Sequence, residues 1–251
     1  MNDTASKTWV VILAAGKGSR MNSQDKNKVT LEVGGSPILS QTVDNLKHAG
    51  ITNVCIVVGY AKDSVINLFD SSVIFAEQTE QLGTGHAAKV GVESLPADTE
   101  NVIILYGDDS YVYTPEIYKK LLQIHTENNA DVSFITLSVD NPTGLGRIVR
   151  DEQKKVIGIV EEKDATDEQK KITEINPACY IFSYKFFTEN IDSVPRSEIT
   201  GEYYLTTLIE VAVEKNANIQ TYNATGIQWR GINTQEELRQ ANEMIGESHG
   251  Q

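Results

Sequence analysis

A short segment near the start of the chain combines small residues with cations. The segment reads Leu13-Ala-Ala-Gly-Lys-Gly-Ser-Arg-Met21 and follows the first apolar run. Glycine and alanine let backbone N–H groups approach a phosphate closely, and Lys17 and Arg20 add positive charge. A dinucleotide-binding fingerprint would need glycine at Met21, and a Walker motif would need serine or threonine at Gly18. The segment therefore predicts a phosphate-binding loop and disfavours hydride transfer and ATP hydrolysis.

A second candidate for chemistry is a carboxylate at the end of an apolar run. Asp108 comes just after the run Asn101–Tyr106. In open α/β sheets, ligands bind at the carboxyl ends of the parallel strands, so a carboxylate there is well placed to meet a ligand. A carboxylate that only caps a turn would be the structural alternative.

Alternating apolar and amphipathic segments must position these residues. Such alternation is typical of parallel strands joined by crossover helices. The predicted strands of the first half are Trp9–Leu13, Asn53–Val58, Val73–Ala76, Asn101–Tyr106 and Asp131–Ser138. The predicted helices are Ile38–Ala49, Lys62–Phe69, Gly85–Ser94 and Pro115–Asn128. We therefore predict an α/β fold with a doubly wound, mostly parallel, Rossmann-like sheet.

The pattern changes after about residue 140. The later strand-like segments are Arg147–Arg150, Val156–Val160 and Ile175–Phe182. They flank a charged stretch at residues 161–171, which predicts a β-rich insertion beside the ligand edge of the sheet. Thr234-Gln-Glu-Glu237 has the spacing of a capping box and predicts a last helix. We expect one domain over residues 1–251, divided into a core at about 9–140, the insertion at about 141–232 and the last helix at about 234–245.

Charge and composition exclude several classes of function. The chain of 251 residues carries 35 acidic and 22 basic side chains, for a formal net charge of −13. Such a chain offers no broad basic surface for nucleic acid or for an anionic membrane. Cys55 and Cys179 lie in apolar runs, and the first residues lack the pattern of a signal peptide. We expect a soluble, cytoplasmic protein with small-molecule substrates.

Eight segments together resemble a known family. The loop Leu13–Met21 is similar to the signature of sugar-nucleotide pyrophosphorylases. Seven further segments follow in that family's order: Glu80-Gln-Leu-Gly-Thr-Gly-His-Ala87, Tyr106-Gly-Asp108, Gly144-Leu-Gly-Arg-Ile-Val-Arg150, Val160-Glu-Glu-Lys-Asp-Ala-Thr166, Glu174-Ile-Asn176, Gly201-Glu-Tyr-Tyr-Leu-Thr206 and Gly231-Ile-Asn233. The chain thus resembles the uridylyltransferase domain of the bacterial bifunctional N-acetylglucosamine-1-phosphate uridylyltransferases over nearly all of residues 9–245. We find no hexapeptide repeats of the kind that form that family's β-helix acetyltransferase, so acetyl transfer is not expected of these residues.

The resemblance implies a reaction and a set of roles. A uridylyl group would pass from UTP to a sugar 1-phosphate, above all N-acetylglucosamine 1-phosphate, with Mg²⁺ as cofactor and release of pyrophosphate, giving a precursor of the cell envelope. Arg20 and Lys28 would be the catalytic cations, and Asp108 and Asn233 would hold the metal. The implied nucleotide contacts are Leu13, Ala14, Ala15, Gly16, Gln78, Gln81, Gly83, Thr84, Tyr106 and Gly107. The implied sugar contacts are Gly146, Glu161, Asn176 and Tyr203.

The chain departs from the family pattern at three places. The lysine-containing loop reads Lys26-Asn-Lys-Val instead of Leu-Pro-Lys-Val, which leaves Lys26 as an alternative to Lys28. Asp109 stands where the family has valine, and strand alternation predicts that it points away from Asp108. Near the sugar, Asn-Pro177-Ala178 replaces Asn-Thr-Gly, where proline removes a backbone donor, and Thr207 replaces an aspartate.

Other functions stay open at this point. One is a cytidylyl- or thymidylyltransferase for another phosphorylated acceptor, and another is a catalytically silent, regulatory protein that binds sugar nucleotides. The amide of Gln78 offers a donor and an acceptor to a pyrimidine, which suits uracil but also permits thymine. His86 is not predicted to be catalytic, because a phosphomonoester is mostly dianionic at neutral pH and needs no general base. The oligomeric state is not predicted.

Overall fold

Twelve strands, nine α-helices and three short 3₁₀ helices lie within the residues that the computed structural model describes, which are 3–18, 26–224, 226–227, 232 and 235–248. The strands are β1 Thr8–Ala14, β2 Glu32–Val33, β3 Ser36–Pro37, β4 Val54–Val58, β5 Ile74–Glu77, β6 Asn101–Tyr106, β7 Val132–Ser138, β8 Arg147–Arg150, β9 Val156–Val160, β10 Glu174–Ile175, β11 Cys179–Ser183 and β12 Ile219–Asn223. The helices are α1 Asp3–Ser6, α2 Ile38–His48, α3 Lys62–Ile66, α4 Thr84–Glu93, α5 Pro115–Glu127, α6 Asp167–Lys170, α7 Tyr184–Asn190, α8 Thr207–Glu214 and α9 Gln235–Ser248.

Four parallel strands form the first part of the main sheet, in the order β5-β4-β1-β6. Every residue of β4 is buried, because helices cover both faces of the sheet. On one face the alanines of α4 share a buried cluster with Val11 and Val57, and on the other Leu39 and Val43 of α2 share a buried cluster with Val10. This arrangement confirms the predicted doubly wound core and places the ends of β1, β5 and β6 at one edge.

The second part of the same ten-stranded sheet is mixed. Strand β11 lies between β6 and β7 and runs antiparallel to both. Strand β12 pairs in parallel with the other edge of β7, and β10, β8 and β9 continue the sheet as antiparallel neighbours. The predicted β-rich insertion is therefore present, and it extends the sheet beside the ends of the parallel strands.

The prediction of a single strand over residues 175–182 is wrong. The structure divides it into β10, which pairs with β7 and β8, and β11, which pairs with β6 and β7. The break falls at Pro177 and Ala178. Proline has no N–H to donate to a ladder, and Ala178 has a left-handed backbone with φ of 58°. The chain turns at this point, so residues 176–178 form a loop next to the sheet edge.

Four helices were not predicted, namely α1, α6, α7 and α8, and the last three have a local cause. Helix α7 is capped by Ser183, whose Oγ accepts a hydrogen bond of 3.2 Å from the backbone N–H of Phe186. Helix α6 begins with a complete capping box formed by Thr166 and Gln169. Helix α8 buries four apolar side chains against the sheet, among them Leu208 and Ile209.

Among the described residues, no helix has the length and apolar composition needed to cross a membrane.

Candidate active site

A cavity of about 460 Å³ lies at the carboxyl ends of β1, β5 and β6, and we call it the first cavity. It is the place where open α/β sheets bind ligands. The residues from the predicted nucleotide set that line it are Leu13, Ala14, Ala15, Gly16, Gln78, Gln81, Gly83, Thr84 and Tyr106. Lys17, Asn27 and Lys28 also line it. Three parts of the chain thus surround one space: the start of the predicted phosphate-binding loop (residues 13–18), which we call the glycine loop, the segment after β5 and the end of β6.

A second cavity of about 670 Å³ adjoins the first and shares Thr84 and Tyr106 with it. Three residues predicted to contact the sugar line it: Gly146, Glu161 and Asn176. Because two lining residues are common to both, ligands in the two cavities would meet at Thr84 and Tyr106. The pair of cavities can therefore hold two substrates side by side.

Tyr203, the fourth residue predicted to contact the sugar, does not line the second cavity, whereas Tyr204 does. The backbone N–H of Tyr203 donates to Leu82 O at 2.8 Å, and its carbonyl accepts from the N–H of Gly85 at 2.8 Å. The Arg196 guanidinium lies 5.1 Å from the centre of the Tyr203 ring. In this structure Tyr203 supports the glycine segment that follows β5.

Two glycines allow close backbone contacts at this edge. Gly83 has φ of 101°, and a Cβ added there would lie 2.5 Å from Tyr203 O. A Cβ on Gly107 would lie 3.0 Å from Leu13 O, to which the Gly107 N–H donates at 3.1 Å. Gly107 therefore joins the ends of β1 and β6 and does not line the first cavity. Larger residues at either position would displace the backbone that forms the site.

Asn27 holds the glycine loop in place, a role that the sequence did not reveal. Its side chain is 1% exposed. Its Nδ2 donates to Ala14 O at 2.8 Å, to Tyr60 O at 3.0 Å and to Gly16 O at 3.3 Å. Its Oδ1 accepts from the N–H of Val29, so the same side chain also caps the short turn that carries Lys28. The available signal was its position, because Asn27 occupies the site of the family's proline.

Lys28 and Asp108 form an ion pair at the first cavity. Their side chains are 17% and 18% exposed, so the pair is only partly screened by water. Lys26, the alternative from the sequence, is exposed and does not line the cavity. The geometry therefore favours Lys28 as the lysine that meets a ligand there. Lys17 is a further cation on the cavity wall that the predicted set of catalytic residues did not include.

Asp109 and Asp108 line different cavities. It is 6% exposed and lines the second cavity, whereas Asp108 lines the first. Burial raises the pKa of the Asp109 carboxyl well above its ordinary value, and the neighbouring Asp108 charge raises it further, while Lys28 opposes both effects. The two adjacent carboxyl groups therefore occupy different environments.

The rim of the second cavity is fixed by an ion pair between Arg147 and Glu162. Arg147 is fully buried, and Glu162 also accepts from the N–H of Gly144 at 3.2 Å. Desolvation raises the pKa of the nearby Glu161 carboxyl; Lys163 lowers it and Asp164 raises it. These contacts hold Gly146, just before β8, and Glu161, just after β9, at the same end of two paired strands.

Asn176 has both ends of its amide engaged. Its Nδ2 donates to the Tyr180 hydroxyl at 2.6 Å, and its Oδ1 accepts from the N–H of Ala178 at 3.2 Å. Its backbone N–H donates to Gly146 O at 3.0 Å. A sugar contact by the Asn176 amide would therefore have to share or replace one of these hydrogen bonds.

Two predicted site residues, Arg20 and Asn233, lie outside the described residues. Asp108 supplies carboxylate oxygens at the first cavity, a donor type that suits a divalent cation, and water and phosphate oxygens usually supply the other positions around Mg²⁺. Within the described part of the chain, no group of three or more His, Cys, Asp or Glu residues could hold a metal by itself. The donor set therefore fits a cation that arrives with a phosphorylated ligand.

Comparison with known proteins identifies the family of this chain. The profile of the nucleotidyl transferase family matches residues 9–248. The bifunctional protein GlmU of Clostridioides difficile is 37% identical over 244 residues, covering 95% of this chain and 52% of its own length. The GlmU of Exiguobacterium sibiricum is 39% identical over 234 residues, covering 93% and 52%. The chain thus spans about half the length of these relatives.

A solved structure shares the fold. It comes from Bacillus anthracis, is provisionally assigned as a glucose-1-phosphate thymidylyltransferase and was crystallised with sucrose. The two chains superpose with a TM-score of 0.77 at 21% identity, and the match covers 94% of each. An identity this low supports the architecture alone. The family profile and the GlmU relatives carry the assignment further: the chain belongs to the nucleotidyl transferase family.

Proposed function

We propose that this protein is a Mg²⁺-dependent uridylyltransferase that joins UTP to a sugar 1-phosphate, most of all N-acetylglucosamine 1-phosphate, and releases pyrophosphate. The observation that carries the proposal is the pair of cavities that meet at Thr84 and Tyr106 beside the ends of β1 and β6. The first accommodates the nucleotide and the second the sugar phosphate. Membership of the nucleotidyl transferase family supports transfer of a nucleotidyl group.

The reaction joins two anions. A phosphate oxygen of the sugar 1-phosphate attacks the α-phosphorus of the nucleotide, and the bond from that phosphorus to the departing pyrophosphate breaks. The second pKa of a phosphomonoester is about 6, so the attacking oxygen needs no general base at neutral pH. Catalysis rests on alignment and on stabilisation of the growing charge. Backbone N–H groups of the glycine loop, Lys17 and Lys28 supply this stabilisation in a protein that is otherwise acidic.

The proposed metal ligands are Asp108 and, from the family resemblance, Asn233. When bound, Mg²⁺ neutralises phosphate charge and orients the phosphate oxygens. Lys28 pairs with Asp108 in this structure. We propose that Lys28 leaves this pair for a phosphate oxygen when the nucleotide enters, so that the carboxylate becomes available to a cation. Arg20 is proposed as a further cation for the departing pyrophosphate.

The choice of UTP and of N-acetylglucosamine 1-phosphate rests on the eight sequence segments that resemble the N-acetylglucosamine-1-phosphate uridylyltransferases. A thymidylyltransferase is the second candidate, because the amide of Gln78 suits thymine as well as uracil. A reducing cytoplasmic location is proposed from two observations: Cys55 and Cys179 are both buried, and neither forms a disulfide.

A substrate panel tests the proposal. Purified protein is supplied with Mg²⁺, with UTP, dTTP or CTP, and with a series of hexose 1-phosphates, and pyrophosphate release is measured. We expect the highest kcat/KM with UTP and N-acetylglucosamine 1-phosphate, and loss of activity when the metal is chelated. A preference for CTP with every acceptor would refute the uridylyl assignment. Tight binding of a UDP-sugar without turnover of any pair would indicate a regulatory protein instead.

A further inference from the structure

His86 contacts a nucleotide-binding residue from behind the first cavity. It lies in the first turn of α4 and is half-buried, and it does not line the cavity itself. Its Nδ1 lies 3.0 Å from Nε2 of Gln78. The proposed reaction needs no base, so a role for His86 must be sought in this contact.

The hydrogen bonds around Gln78 determine how its amide is turned. Nε2 also lies 3.2 Å from Gly83 O, and a carbonyl oxygen can only accept. The atom that meets Gly83 must therefore be the NH₂ group, which uses one hydrogen there and the other on His86. It follows that His86 Nδ1 accepts and that the proton of the neutral ring sits on Nε2.

The amide oxygen is the group that this arrangement leaves for a ligand. Gln78 is 4% exposed, lines the first cavity and is tied to β4 by a 2.8 Å hydrogen bond from its N–H to Val58 O. Gly83 cannot shift easily, because it is enclosed by Tyr203 and has a left-handed backbone. Gly83 O and His86 Nδ1 therefore hold the NH₂ group of Gln78. The amide oxygen Oε1 is left to accept a hydrogen bond from a base in the first cavity.

We infer that His86 is a positioning residue that sets the choice of base. By fixing the Gln78 amide with its oxygen toward the first cavity, it selects a pyrimidine whose N3 carries a hydrogen, as in uracil or thymine. Cytosine has an unprotonated N3 and would place a lone pair against Oε1. Without an acceptor at His86 the amide could turn over, and the preference would weaken. The inference rests on the proposed function, since it assumes that the first cavity takes the base.

The test compares His86→Leu, which removes the acceptor, with His86→Asn, which places an oxygen near the position of Nδ1. His48→Leu is the matched control, because His48 is exposed at the end of α2. For each protein, kcat and KM are measured with UTP and with CTP, and thermal unfolding is recorded. We expect His86→Leu to reduce the UTP-to-CTP ratio of kcat/KM about tenfold, mainly through a higher KM for UTP, as loss of one hydrogen bond predicts. His86→Asn should stay within about threefold of the wild type, and the control should not change the ratio.

The outcomes separate this inference from the proposed function. If the wild type prefers UTP and a folded His86→Leu keeps the full ratio, the positioning role is refuted while the uridylyltransferase remains. If the wild type prefers CTP, the nucleotide assignment fails and the inference fails with it. If no pair turns over, calorimetric binding of UMP and CMP to the same variants replaces the kinetic ratio. Should His86→Leu unfold, His86→Ala takes its place: a reduced ratio in that variant supports the inference, and a full ratio in the folded variant refutes it.

Discussion

The contact between Lys28 and Asp108 leads to the sharpest prediction. Both side chains are mostly buried at the first cavity, and the account gives Lys28 a phosphate partner in the transition state. Two unit charges about 4 Å apart interact by about 4 kcal/mol at an effective dielectric of about 20. We take between half and all of this interaction to be gained only in the transition state. Each 1.36 kcal/mol gained there corresponds to about a factor of ten in rate.

The perturbation is Lys28→Ala, and the expected loss in kcat/KM is therefore between about 30-fold and about 10³-fold. The assay is pyrophosphate release under saturating Mg²⁺, with each substrate varied in turn. Because the interaction is assigned to the transition state, kcat should fall at least as much as KM rises. Lys26→Ala is the matched control, since Lys26 lies two residues away, is exposed and does not line the cavity.

Two results would refute this reasoning. Lys28→Ala that keeps more than about a third of the wild-type kcat/KM would show that the lysine does not meet the growing charge. Equal losses in Lys26→Ala and Lys28→Ala would show that the effect comes from the net charge of the loop. A double variant with Asp108→Asn completes the cycle, and we expect its loss to be smaller than the product of the single losses, because the two residues are in contact.

Three further predictions concern neighbouring groups. Asp108→Asn should lower kcat by at least about 10²-fold, whereas Asp109→Asn, in the second cavity, should keep most of the Mg²⁺-dependent turnover; steady-state rates decide, and equal losses would contradict the assignment. Asn27→Ala leaves three carbonyls without their donor and should reduce the free energy of unfolding by about 2 kcal/mol in urea, with a raised KM for the nucleotide. Burial lowers the pKa of His125 from 6.5 to about 4, so its neutral form stabilises the fold above pH 6.5 and that contribution is lost as the pH falls toward 4. Between pH 7 and pH 5 the wild type should lose about 2 kcal/mol more than His125→Gln, and identical losses would contradict the assigned pKa.

The strands of the parallel core could be predicted because the apolar pattern of a buried strand lies within a few consecutive residues. Strand β6 was predicted with its observed bounds, and β1, β4 and β5 within about two residues, because strands covered on both faces consist of continuous β-branched runs. The loop at residues 176–178 was not predicted, since the apolar run continues through it. Only the left-handed Ala178 and the lack of a donor at Pro177 divide it.

Part of the candidate site could be predicted, because residues of the recognised sequence motifs line the cavities. Gln78, Lys28 and Asp108 do so, and no resemblance was needed to expect a ligand at the end of β6. Asn27 and His86 could not be assigned from sequence, because their roles depend on hydrogen bonds across long separations and around a folded turn. Tyr203 belongs to the family motif, yet its observed contacts are with Leu82 and Gly85.

A crystal structure with UDP-N-acetylglucosamine and Mg²⁺ tests the central claim most directly. The account predicts the uracil beside Gln78 in the first cavity, the sugar beside Glu161 in the second, and a cation on Asp108 with Lys28 moved to a phosphate oxygen. A nucleotide bound elsewhere, or phosphates remote from the glycine loop while Lys28 stays on Asp108, would contradict it.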